Sequence, residues 1–216
     1  MSKADAQEIY HGLRERGDEF ECLLVGGDVS TWDGRLTISV TIFAKPAGAT
    51  GGMPPVLRSG ARAGNAIFVT GALGGAWQSE RHLTFTPRVR EAIVLALRYK
   101  LKAMIDISDG LAKDLRRLCR ASGVGAEIEA AAVPIHPDAA AERNIPPLQA
   151  ALGDGEDYEL LFTLPRGQAK RLDADEKIPF PVTRIGTITK NPAVVLIQPD
   201  GTKEALPDRG WEHETE

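Results

Sequence analysis

Met104-Ile105-Asp106-Ile107-Ser108-Asp109-Gly110-Leu111 is an apolar run that ends in two carboxylates three residues apart, with a hydroxyl between them and a glycine after them. The segment Leu101 to Ile105 reads as a strand. Gly110 to Ala121 reads as a helix stopped by Ser122-Gly123. The octet is therefore a strand-to-helix turn. Ser108 or Asp109 can cap the helix, and the free N–H groups of its first turn favour phosphate oxygens. Two carboxylates at that point repel each other and any bound phosphate unless divalent cations bridge them. The plainer alternative is a capped turn with solvated aspartates. The octet by itself leaves both open.

Working outward, strands and helices alternate through the rest of the chain. Ala66 to Thr70, Val124 to Ile128, Asp157 to Thr163, Val182 to Thr187 and Val194 to Ile197 are expected strands. Helices are expected from Thr86-Pro87 to about Arg98, with Pro87 at the first position, and near Gly167 to Asp173. This is a mixed α/β pattern with helices packed on a multi-stranded sheet. Toward the N-terminus, Lys3 to Arg16 reads as a short amphipathic helix ended by Gly17. Glu21 to Val25 reads as a buried strand, and Leu36 to Phe43 alternates as a half-buried one. The Gly/Pro-rich stretch Pro46 to Pro55 suggests a junction, giving domains 1–46 and 47–216. One helix and two strands make a poor domain, so the first block reads as the tail of a larger one.

Other segments carry candidate chemistry. In Val25-Gly26-Gly27-Asp28 the glycines let backbone approach a bulky anion, and Asp28 can hold Mg²⁺. The alternative is an ordinary turn. Leu152 to Phe162 packs four carboxylates before and into a strand, either as a charged edge strand or as a metal- or hydroxyl-binding loop with Glu156 reaching across a cleft. Trp211 is either an anchor onto the core or a stacking platform. Arg58 and Arg62 put two guanidiniums in a turn, a geometry suited to phosphate. The four histidines show no metal-ligand spacing.

Composition narrows the function classes. The chain has 216 residues, 43% hydrophobic and 26% charged, with a formal net charge of −4. That is globular composition with no basic excess for a nucleic-acid surface. No apolar run approaches the roughly 18–20 residues of a membrane helix, and the polar start predicts no secretory signal. Two distant cysteines, Cys22 and Cys119, disfavour a disulfide scaffold or a cysteine zinc site and make the cytoplasm the default location.

The order of the segments is more specific than any one of them. VGGD, RSGAR, IFVTG, TPR, MIDISDGL, SGVGAEIE, GDGEDYELLFT, IGTI and a terminal GW follow one another from Val25 to Trp211. In that order they resemble thiamine-monophosphate kinase, within the superfamily that includes aminoimidazole ribonucleotide synthetase, selenophosphate synthetase and a hydrogenase maturation protein. The resemblance implies an α/β fold with mixed sheets: the C-terminal domain of the aminoimidazole ribonucleotide synthetase-like fold, plus the last helix and strands of its N-terminal, ATP-binding domain. It implies transfer of the ATP γ-phosphoryl group to thiamine monophosphate with Mg²⁺. Gly27, Asp28, Arg58 and Ser108 would contact ATP. Asp28, Asp106 and Asp109 would ligate Mg²⁺. Glu156 and Trp211 would contact the thiamine substrate. No general base is implied, and a homodimer is.

This sequence departs from the family pattern in places. Val29 stands where the family usually has Thr, Asn65 replaces a usual Asp, and Asp154 interrupts a usual Gly-Gly. The family's region upstream of VGGD, with further metal aspartates, is not in this sequence, which predicts a weakly active or inactive lone chain. Two other expectations stand beside the kinase: a related ATP-dependent synthetase acting on another small molecule, and a non-catalytic assembly module that pairs through Leu36 to Phe43.

Overall fold

A computed structural model of the chain describes residues 2–45, 54–140 and 144–211. They form two separately compact units, residues 2–45 and the described residues from 54 onward. All but the last two residues of the expected Pro46 to Pro55 junction lie outside the described residues, as does His213.

The first unit is one helix and a tail without regular secondary structure. Helix α1 (Lys3–Glu19) starts at a reciprocal cap: the Ser2 hydroxyl accepts the Asp5 N–H at 3.2 Å, and the Asp5 carboxylate accepts the Ser2 N–H at 2.6 Å. The helix continues past Gly17, where ion pairs Arg14–Asp18 and Arg16–Glu19 span its last turn. No side chain of α1 is buried. The strands expected at Glu21 to Val25 and Leu36 to Phe43 are not formed: both segments are irregular and exposed, without a ladder among the described residues, and Glu21 has φ 55. The physical reason is the lack of a partner edge within the unit. An alternating apolar row gains nothing as a strand until a neighbour takes its N–H and C=O groups.

The second unit holds the core. Its elements are β1 (Ala66–Thr70), α2 (Val89–Arg98), β2 (Ala103–Ile107), α3 (Leu111–Ser122), β3 (Gly125–Glu129), α4 (Pro147–Gly153), β4 (Glu159–Leu164), α5 (Arg166–Asp173), β5 (Val182–Thr189), β6 (Val194–Ile197) and β7 (Lys203–Ala205). The seven strands form one sheet in the order β2-β4-β1-β5-β3-β6-β7, antiparallel throughout except for the β3–β6 pair. Alternation along β1 explains its unbroken apolar sequence. Ile67 and Val69 face one core with Leu111, Leu115 and Leu118 of α3, while Ala66 and Phe68 face a second core with Leu95 of α2 and Leu172 of α5. Phe68 stacks on Phe162 of β4 with centroids 5.5 Å apart. Burying each such ring is worth roughly 1.5–3 kcal/mol. The unit is thus a sheet covered by helices on both faces.

The differences from the expected elements are local. β2 begins at Ala103 and runs to Ile107, so Asp106 lies within the strand. α2 starts at Val89 rather than Pro87, because Arg88 turns its side chain to Glu159. Helix α4 and strand β7 were not expected. β4 lies between β2 and β1, which overturns the charged-edge reading of Asp157 and Glu159. Among the described residues, no helix is long and apolar enough to cross a membrane.

Candidate functional site

Three segments meet at one end of the sheet. β2 runs into 108–110, β4 emerges from 153–158, and β1 runs out into 71–75; the pairings Ile107↔Glu159 and Val69↔Leu161 put these ends together. Backbone bonds fasten the first two segments to each other: Glu156 N–H donates to Ser108 C=O at 2.8 Å, and Tyr158 N–H to Ile107 C=O at 2.8 Å. Trp211 joins them, its N–H donating to Asp109 C=O at 3.1 Å. Two glycines permit this approach. Gly110 has φ +105, and a Cβ there would sit 2.9 Å from the Gly153 oxygen. A Cβ on Gly155 would sit 2.6 Å from the Ser108 oxygen.

Contrary to expectation, neither Ser108 nor Asp109 caps the helix. Gly110 is the N-cap, and it makes no side-chain cap bond. Asp114, one turn into α3 and buried, reaches back and accepts the N–H groups of Ser108 and Asp109, both at 3.0 Å. Burial pushes the Asp114 carboxyl up, while the Asp109 N–H and Arg117 hold it down. Arg117 bonds Asp114 at 2.7 Å and also pairs with Asp109. Asp114 therefore shapes the turn, and no sequence motif pointed to it.

Behind the acidic loop lie two buried clasps. Asp157 accepts the Gly74 N–H at 3.0 and 2.9 Å and Arg81 Nη2 at 3.1 Å. Burial nevertheless pushes its carboxyl up to about 7, against the lowering by Gly74 and Arg81. Glu159 accepts Arg88 through Nε at 2.8 Å and Nη2 at 2.6 Å, and the Thr70 hydroxyl at 2.6 Å. Asp154, the residue that interrupts the family's Gly-Gly, accepts the Gly75 N–H at 2.9 Å. The arginines are the partners that sequence reasoning missed, although TPR, with Arg88, was among the quoted segments.

In front of the clasps stand Asp106, Ser108, Asp109, Glu156, Tyr158 and Trp211. Asp106 is exposed, Ser108, Asp109 and Glu156 are half-buried, and Trp211 is 62% exposed. The Trp211 ring is therefore not an anchor in the core; its backbone does the anchoring. The Tyr158 hydroxyl is pushed up to about 12, first by burial, then by its bond to Glu156 and by the negative charge of Glu156, Asp106 and Asp109. Of these carboxylates, Glu156 takes the Tyr158 hydroxyl directly, at 2.8 Å.

Within this unit, one expected site residue is not brought to this end. Arg58 is exposed, and its carbonyl accepts the Ser122 hydroxyl at 3.4 Å, beside the C-terminus of α3. A 12-residue helix, roughly 18 Å long, separates it from Asp109 within the unit. Gly27 and Asp28 belong to the first unit, exposed in its tail. Among the described residues no three His, Cys, Asp or Glu side chains converge to hold a metal. Asp106 and Asp109 supply two hard oxygen donors, which fits Mg²⁺ bound through one or two carboxylates and phosphate oxygens rather than an all-protein cage.

The chain is similar to several known proteins. The family model for the C-terminal domain of AIR synthase related proteins matches residues 62–198. A thiamine-monophosphate kinase of Rhodopirellula baltica is 41% identical over 186 residues, covering 85% of this chain and 56% of that protein. One from Methanospirillum hungatei is 33% identical over 216 residues, covering 95% and 68%. The solved structure of AaThiL complexed with AMPPCP and TMP superposes with a TM-score of 0.54 at 29% identity, over 73% of this chain and 54% of that one. The chain thus spans a little over half to about two thirds of the length of these relatives.

Proposed function

This chain belongs to the thiamine-monophosphate kinase family, and on that premise we propose that it takes part in ATP-dependent phosphorylation of thiamine monophosphate to thiamine diphosphate. The observation that carries the reading is the junction of the 106–110 turn, the 153–158 loop and Trp211 at one sheet end. In this reading an oxygen of the substrate phosphate attacks the γ-phosphorus of ATP. A P–O bond forms, the bond from γ-phosphorus to the β–γ bridging oxygen breaks, and ADP leaves. The nucleophile is already an anion, so placement and charge neutralisation decide the rate, and no strong base is required.

The Ser108 hydroxyl meets the nucleotide phosphates, the N–H groups of Ser108 and Asp109 being held by Asp114. Asp106 and Asp109 hold Mg²⁺, which neutralises phosphate charge when bound. Glu156 and Trp211 contact the thiamine moiety, Trp211 by stacking. Gly27, Asp28 and Arg58 are assigned to ATP, and Asp28 to Mg²⁺, on the family pattern alone. Residues 1–46 then belong to an ATP-binding domain and 47–216 to the kinase domain, in a cytoplasmic homodimer. AaThiL, whose structure was solved with AMPPCP and TMP, supports both ligand classes.

The test is a pair of calorimetric titrations on the wild-type chain and Trp211→Ala. Thiamine-monophosphate affinity is expected to fall roughly tenfold, a stacked aromatic with its buried area being worth about 1.5 kcal/mol, with ATP–Mg²⁺ affinity unchanged. Equal loss of both ligands would remove the stacking role.

A specific observation keeps the assembly reading alive as well. Leu36, Ile38, Val40 and Ile42 are all more than half exposed, a row suited to pairing with another chain. A monodisperse monomer by light scattering would remove that reading.

A further inference from the structure

We propose that Tyr158 is a positioning residue for the substrate-binding carboxylate of Glu156. The inference rests on the reading of Glu156 as the thiamine contact and deepens it. The Tyr158 hydroxyl donates to Glu156 Oε2 at 2.8 Å. The phenol is itself held from two sides: its ring stacks on Phe85 with centroids 4.2 Å apart and planes at 20°, and its N–H is bonded to Ile107 C=O.

The backbone is as unusual as the contact. Glu156 has φ 69 and Tyr158 φ 51, both left-handed, on residues other than glycine. Such a conformation costs of order 1–3 kcal/mol and persists only where its surroundings over-determine it. Here the surroundings do so. Asp157, between the two strained residues, is clasped by Gly74 and Arg81, and Glu159, just after them, by Arg88 and Thr70. Across this left-handed stretch the side chains of 156 and 158 meet through the Tyr158 hydroxyl. A phenol is protonated at neutral pH even with its ordinary pKa of about 10, so the Tyr158 hydroxyl is the donor in this bond.

Without that bond the Glu156 carboxylate recovers its side-chain rotamers and must lose them again on binding. A hydrogen bond to a charged acceptor is worth enough that Tyr158→Phe should weaken thiamine-monophosphate binding roughly tenfold. The experiment titrates the wild-type chain, Tyr158→Phe, Glu156→Gln and the double variant with thiamine monophosphate and, separately, with ATP and Mg²⁺. The expected result is a loss in Tyr158→Phe that vanishes in the Glu156→Gln background, with nucleotide affinity unchanged. A loss of equal size in both backgrounds would make Tyr158 a structural residue and overturn the proposal.

A crystal structure of Tyr158→Phe is the second measurement. It is expected to show the Glu156 carboxylate displaced over an unchanged 153–158 backbone. An unmoved carboxylate overturns the proposal. If the wild-type chain takes up no thiamine monophosphate, the function reading fails, and the crystallographic result still decides the role of Tyr158.

Discussion

Replacing Asp157 with Asn tests the clasp behind the acidic loop through its pH dependence. The carboxyl accepts bonds from Gly74 and Arg81, but burial outweighs them and raises its pKa from 3.8 to about 7. An acid that holds its proton more tightly folded than unfolded lends stability at low pH, and that stability is lost as pH rises through the folded value. The unfolded chain releases this proton near 3.8 and the folded chain near 7. A gap of about three pH units amounts to about 4 kcal/mol, of which roughly 2–3 kcal/mol falls between pH 5 and 8. Urea unfolding of wild type and Asp157→Asn at pH 5, 6, 7 and 8 measures it. The variant lacks the proton, so wild-type stability should decline relative to it by roughly 2–3 kcal/mol across that range. The overall offset between the proteins is immaterial, because the slope carries the information. Parallel curves would show that Asp157 ionises like an ordinary carboxylate and would refute the assignment of burial as the dominant cause.

Asp114→Ala should destabilise the chain by about 2–4 kcal/mol in denaturant titration, because the N–H groups of Ser108 and Asp109 lose their acceptor in a part-buried turn. It should also weaken ATP–Mg²⁺ binding, since the turn loses its shape. Gly110→Ala forces a side chain onto φ +105 and against the Gly153 oxygen. A cost of about 2 kcal/mol and weaker binding of both ligands are expected, read by thermal unfolding and calorimetry.

The sheet was legible because its strands carry unusually plain signals. β1 is an unbroken apolar run, and in the structure both its faces are buried; β6 is apolar from end to end. The strand-to-helix turn at 106–110 could be read from two carboxylates and a glycine at the end of such a run. What could not be read was partnership between residues far apart in sequence. Asp114 reads as one more polar residue of an amphipathic helix until the 108–110 turn folds back over it. Asp157 and Glu159 read as a charged edge until Arg81 and Arg88 are seen against them in the middle of the sheet. Residues 36–43 misled in the opposite direction. Their alternation is a strand pattern, but strand pairing depends on a neighbour, which residues 2–45 do not supply.

Phosphorus NMR of the chain mixed with ATP, Mg²⁺ and thiamine monophosphate tests the kinase reading most directly. The expected result is a slow conversion, in keeping with the weak activity predicted for the lone chain: the thiamine-monophosphate resonance gradually gives way to the two coupled resonances of thiamine diphosphate while ADP accumulates in equal amount. Thiamine monophosphate that persists unchanged, in a chain that binds both it and the nucleotide, would contradict phosphoryl transfer at this site.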